Sequence, residues 1–202
     1  MEQNATEAAG KNPLLERLRS ATRELHERIE LVVPLLRPGL TREAYITYLA
    51  RLVGYYPPVE EAMASAPPAF QQHFGIPERG KSHLLHRDLL ALGLGEEQIA
   101  GLPRCTDLPL LSTPDHMVGC LYVLEGSTLG SRVLLRTMRT LGFDEGSGAS
   151  FLAGYGNETG PMWVRYGEAL ATYAPRADVA AVIRGAEDTF TTLERWIGSA
   201  EA

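Results

Sequence analysis

Cysteine is almost missing from this chain. Cys105 and Cys120 are the two present, and they form neither a CxxC pair nor any other metal-like spacing. Cys120 sits in an apolar stretch and reads as a packed thiol, so the chain reads as one of a reducing, cytoplasmic compartment. Positive charge is also scarce. The formal net charge is −6 and no basic block occurs, which argues against nucleic acid as a partner. No apolar run approaches the roughly 20 residues that a membrane helix needs, so no membrane insertion is expected. HExxH is absent, as is a Glu-x-x-His pair on two helices, which removes a zinc protease and a carboxylate di-iron site. Strand-like alternation and long internal repeats are missing too. The opening stretch MEQNATEAAGKN lacks the apolar core of a signal peptide and reads as a disordered tail over 1–12.

What remains is helical. With 202 residues, 45% of them hydrophobic, the chain suits one domain, placed here over 13–198. A first helix is expected from Pro13 to Val33, with Asn12 as a cap and Leu14, Leu18, Leu25, Ile29 and Val32 on its apolar face. Pro34 and Pro38-Gly39 end it. Thr41 caps a second helix that Pro57 and Pro58 are expected to kink or break, with Val59 to Ala64 as a resumption. Ala66 to Gly80, rich in proline and glycine, reads as a loop. Lys81 to Leu92 reads as a helix closed by Gly93, and Glu96 to Leu102 as a short piece. Thr159 to Tyr173 and Ala177 to Ile197 complete the set, for an all-α domain of seven or eight helices.

The central stretch is Met117 to Met138, capped by Thr113 or Asp115 and ending at Gly142. Its apolar residues surround the helix axis, which marks a buried helix. Yet Gly119, Gly126 and Gly130 share one narrow arc, bordered by Tyr122 and Val133, although each glycine costs a helix interior about 1 kcal/mol against alanine. Such a stripe admits something bulky against the backbone, either a neighbouring helix or a planar group. Glu125, inside this helix, is expected to pair with an arginine on a neighbouring helix.

Of five histidines, His83 and His86 read as exposed polar residues, His73 falls in the loop and His116 serves a helix start. His26 differs. It stands beside the apolar face of the first helix, on one stripe with Arg19, Thr22, Ile29 and Glu30. A neutral imidazole ligates iron, and a carboxylate one turn on can fix its tautomer. A cation two turns before it, about 10 Å along the axis, can meet a propionate.

Two segments carry a resemblance. Leu18-Arg19-Ser20-Ala21-Thr22-x-x-Leu25-His26-x-x-Ile29-Glu30 resembles the proximal-helix motif of haem oxygenases. Leu121-Tyr122-Val123-Leu124-Glu125-Gly126-Ser127-Thr128-Leu129-Gly130 resembles the distal helix of their bacterial branch, which includes enzymes that supply biliverdin to bacteriophytochromes. Tyr155-Gly156 followed by Trp163, and Thr189-Phe190-x-x-Leu193-x-x-Trp196, agree in order and spacing. The resemblance implies haem b, both substrate and cofactor, sandwiched between the first helix and a kinked glycine-bearing distal helix. It implies His26 as axial ligand, Glu30 as its partner, Arg19 at a propionate, Thr22 and Tyr122 along the site, Phe190 as a pocket aromatic, and Gly126 and Gly130 over the haem. Ser127 stands where the animal enzymes carry an aspartate that organises distal water, so the proton relay departs from theirs.

The implied reaction is oxidative. Reduced iron binds O2 opposite His26, and the activated oxygen attacks a meso carbon. Imidazole pushes O–O heterolysis less strongly than thiolate would. Repeated cycles give biliverdin, CO and ferrous iron. Electrons must come from an external donor such as a ferredoxin or a flavin reductase, because the chain lacks a Rossmann glycine signature. Two rival functions stand beside this one. One is a haem carrier or sensor of the same fold. The other is a related all-α enzyme of the thiaminase type, which needs a cavity-facing cysteine.

Overall fold

The computed structural model describes residues 12–36 and 39–199, and the side chain of Leu36 is not among what it describes. The expected tail up to Lys11, and Pro38 as a stop signal, lie outside these residues. Asn12 belongs to the domain rather than to the tail. It is buried, its side chain accepts from the amides of Leu14 and Leu15 at 3.1 and 3.3 Å, and its own amide donates to the Gly167 carbonyl at 3.1 Å. That cap opens helix α1 (Pro13–Val32), which buries Leu14, Leu15, Leu18 and Thr22.

Eight more α-helices follow among the described residues: α2 (Arg42–Ala64), α3 (Pro68–Phe74), α4 (Ser82–Ala91), α5 (Glu96–Ala100), α6 (Pro114–Thr140), α7 (Ser150–Ala153), α8 (Thr159–Tyr173) and α9 (Val179–Gly198). The all-α expectation holds, and the number exceeds seven or eight because α3 lies in the stretch read as a loop and α7 in one left unassigned. Two corrections have clear causes. The stretch expected to be a loop contains α3: Pro68 occupies its first turn, Phe70 and Phe74 bury one face, and Gly75 closes it at φ 62°. Its prolines start a helix instead of preventing one.

The expected break at Pro57 and Pro58 does not occur, and α2 runs through both. Pro58 lacks the N–H that would reach the carbonyl four residues back, that of Gly54. The amide of Cys105 donates to that carbonyl instead, at 2.9 Å. Gly54 allows this approach, since a Cβ there would stand 2.4 Å from the Pro103 carbonyl oxygen. The connector thus supplies the bond that proline removes.

Helix α9 packs against both α6 and α1, the two most extensive contacts in the fold. It meets α6 backbone to backbone. A Cβ on Gly119 would lie 2.0 Å from the Val182 carbonyl oxygen, and one on Gly185 2.2 Å from that of His116. So Gly119 belongs to helix packing, not to a ligand surface. Gly119→Ala is expected to overpack this crossing at a cost of roughly 1–3 kcal/mol or more. At about 2–4 °C per kcal/mol for a domain of this size, the apo melting temperature should fall clearly, which a thermal melt checks.

Helix α6 is buried from His116 to Glu125, apart from a half-buried Tyr122, and opens beyond it. Leu129 is 40% exposed and Val133 61%, although the whole helix was expected to be buried. The expectation of burial all round holds for the first half only, because no protein covers the second half on one side. The side-chain hydroxyls of Ser127 and Thr128 donate to the carbonyls of Leu124 and Glu125 at 2.8 and 2.6 Å. Such back-bonding favours a bend at this point.

Candidate haem site

Helices α1 and α6 do not pack closely on one another; α9 lies against both, and the space between is a cavity of about 490 Å³. Its walls include Arg19, His26 and Glu30 from α1, Tyr122, Gly126, Ser127 and Gly130 from α6, and Phe190 from α9. Leu129 and Val133, exposed apolar side chains of α6, face the same space. A cavity with apolar walls and few polar groups is the usual form of a small-molecule site.

His26 lies on the α1 side. Its Nδ1 is 3.4 Å from Glu30 Oε1, one turn on, and its ring meets the edge of Phe190 with centroids 6.0 Å apart. The side chain is 61% exposed. Among the described residues, Nε2 has no hydrogen-bond partner. With Glu30 beside Nδ1, the proton is favoured on that nitrogen and a lone pair is left on Nε2 for a metal.

The α6 side shows why glycine stands where it does. A Cβ on Gly130 would meet nothing within 4 Å, and one on Gly126 would meet the Trp163 ring alone, at 3.8 Å. Together with Gly119, these residues split the stripe in two. Its first member admits a helix, and the other two leave bare backbone at an open space. A flat macrocycle between His26 and this backbone fits: an imidazole that could ligate a metal is on one side, glycine is on the other, and the walls are apolar.

The remaining expected site residues divide. Arg19 lines the cavity, with Nη1 held at 2.8 Å by Glu16 Oε1. Tyr122 lines it as well; burial raises its hydroxyl pKa, with the Thr22 hydroxyl opposing. Thr22 itself does not reach the cavity. It is buried and donates to the Leu18 carbonyl at 2.8 Å, so it supports Tyr122 from behind. Ser127 is in the wall, but its hydroxyl proton is committed to Leu124.

Three further aromatic wall residues are not legible from sequence. Tyr48 and Tyr56 come from α2 and Phe151 from α7. Nothing local in the sequence separates a packing ring from a pocket ring. Burial raises the Tyr56 hydroxyl pKa, with the Ser127 hydroxyl as the chief opposing group. Cys120 lies outside the cavity walls, and burial pushes its thiol up to about 12. It is therefore no nucleophile for a thiaminase-type reaction.

Among the described residues no helix is long and apolar enough to cross a membrane. The family model described as Heme oxygenase matches residues 12–199. The heme oxygenase PigA of Pseudomonas aeruginosa is 29% identical over 158 residues, which cover 76% of this chain and 75% of that protein. The Neisseria meningitidis heme oxygenase, solved in NO- and CO-bound forms, gives a TM-score of 0.73 at 24% identity, over 92% of each chain. That of Leptospira interrogans gives 0.76 at 18% identity, over 92% of this chain and 98% of the other. Heme oxygenase-1 of the cyanobacterium Synechocystis, solved in complex with heme, gives 0.74 at 19%, over 93% and 92%. The structural likeness gives the fold, and the match over nearly the whole chain gives the family: this chain belongs to the heme oxygenase family.

Proposed function

We propose that haem lies between His26 and the Gly126–Gly130 backbone and is opened there to biliverdin, CO and ferrous iron. The observation that carries this reading is the open space at Gly130, facing the α1 wall on which His26 stands. His26 Nε2 holds the iron, and Glu30 keeps the proton on Nδ1 and orients the ring. Phe190 limits rotation of the imidazole from the other side. Haem, when bound, supplies the iron that activates O2 and the macrocycle that is consumed. The protein supplies ligation, orientation and a dry face. Bare glycine backbone at Gly126 and Gly130 would leave room for O2 between haem and α6. Electrons come from an external donor protein such as a ferredoxin or a flavin reductase. Cytoplasmic use of the product, with a bacteriophytochrome as biliverdin acceptor, belongs to the same proposal.

Ser127 favours a second reading, a haem carrier, because its proton is turned back into its own helix. The discriminating experiment incubates the haem complex with a reductant and O2 in the presence of catalase. An oxygenase loses its Soret band to a broad red absorbance, and biliverdin is recovered by chromatography. A carrier keeps the Soret band, and that result would overturn the proposal.

Arg19 allows a further check. As an anchor for a propionate it would make a charge-assisted contact of roughly 1.5–3 kcal/mol. Arg19→Ala is then expected to weaken hemin binding about ten-fold and to alter the biliverdin isomer. An unchanged dissociation constant together with an unchanged isomer would make Arg19 a surface charge paired with Glu16.

A further inference from the structure

A second cavity, of about 280 Å³, lies behind α6. Leu121, Leu124 and Glu125 face it, whereas Tyr122, Val123, Gly126 and Ser127 face the haem cavity. At 100° per residue these are opposite faces of one helix. Tyr56 lines both spaces. At the level where the glycine wall begins, α6 thus borders open space on each side, and close packing alone does not set its position there.

Glu125 does that instead. It is 1% exposed, and its carboxylate is bound by three side chains from two other segments. Arg79, just after the Ile76–Glu78 turn, pairs with Oε2. Lys81 Nζ donates to Oε1 at 2.7 Å from the start of α4, and the Tyr155 hydroxyl donates to Oε1 at 2.8 Å from between α7 and α8. The partners are fixed in turn. Arg79 Nε donates to the Phe74 carbonyl at 2.7 Å, and Lys81 Nζ to the Arg79 carbonyl at 3.1 Å. The Lys81 amide donates to Glu60 Oε1 of α2 at 2.6 Å. The expected partner on a neighbouring helix is corrected accordingly: the arginine is on a loop, with a lysine beside it.

We propose that Glu125, clamped by Arg79, Lys81 and Tyr155, is the positioning residue that sets how far the Gly126–Gly130 backbone stands from bound haem. A buried ion cluster is a poor way to gain stability, since well-packed apolar residues often do as well or better. Its advantage is geometry: charge-assisted bonds fix distances and directions that a cavity-flanked helix otherwise lacks. Glu125 immediately precedes Gly126, so a shift of its carboxylate passes directly to the wall. The inference rests on the haem reading above but concerns a residue that touches neither haem nor its ligand.

The test uses three variants of the full chain. Tyr155→Phe removes one bond and keeps every charge. The double variant Glu125→Gln with Lys81→Met removes the anchor while leaving the net charge of the buried cluster unchanged. Hemin affinity is expected to stay within about three-fold of the parent, because His26, Phe190 and Arg19 are untouched. The midpoint pH of the ferric complex's visible-spectrum transition should move by about half a unit or more in the double variant, and in the same direction by less in Tyr155→Phe. The biliverdin isomer mixture should broaden in step. Lys81→Arg, which keeps the charge pair, should retain the parent's midpoint. Folded variants with a lowered melting temperature but the parent's midpoint and isomer would overturn the proposal and leave the cluster structural. If the double variant fails to fold, Tyr155→Phe decides by the same two readouts. A parent chain that binds no hemin would instead overturn the haem reading itself, so the two failures are distinguishable.

Discussion

His26→Ala is expected to abolish haem opening while leaving the apo fold intact. The side chain is 61% exposed, and exposed substitutions usually change stability by no more than about 0.5 kcal/mol. Alanine also has the better helix propensity. His26 touches Glu30 and the edge of Phe190, so little packing is lost. The iron, however, loses its protein ligand. The ferric complex should lose its six-coordinate spectrum, turnover should fall to background, and added imidazole should restore part of both by entering the vacated space beside Phe190. Absorption spectra and biliverdin yield, read with and without imidazole, check this. A variant with the native Soret maximum and full yield would remove His26 from the iron.

Gly130→Leu has the second large effect, and it separates the two halves of the glycine stripe. A Cβ at Gly130 meets nothing within 4 Å, so the new side chain projects into the cavity rather than into protein. Leucine also gains most of 1 kcal/mol in helix propensity over glycine. The apo protein should therefore melt no lower than the parent. Hemin still reaches His26, but O2 loses its space against the wall, and single-turnover ring opening should fall by at least an order of magnitude, the scale of a lost contact of about 1.4 kcal/mol or more. Gly119→Ala is the matched control with the opposite signature, a lowered melting temperature with turnover retained in the molecules that stay folded. A strong destabilisation by Gly130→Leu with normal turnover in the folded fraction would show that the second half of the stripe is packing, like the first.

The parts that the sequence made legible are those with local periodicity. The helices α1, α4, α6, α8 and α9 follow from 3.6-residue spacing with caps at Asn12 and Thr113, and the i,i+4 relation of His26 and Glu30 can be read directly. Failures occurred where a distant segment decides the outcome. The prolines of α2 suggested a break because the Cys105 amide that rescues Gly54 is far away in sequence. The glycine arc was ambiguous because only α9 reveals that Gly119 is filled and Gly130 is not. Thr22 shares a helical stripe with His26, yet its hydroxyl turns back to Leu18 and its side chain is not part of the cavity wall. The roles of Tyr48, Tyr56 and Phe151 depend on where α2 and α7 come to rest, which no window of sequence contains.

A crystal structure of the haem complex tests the central claim most directly. The account predicts iron bound by Nε2 of His26, Glu30 beside Nδ1, and the opposite face of the macrocycle lying along the bare backbone of Gly126 and Gly130. Iron ligated by any other residue, or haem seated away from that backbone, would contradict it.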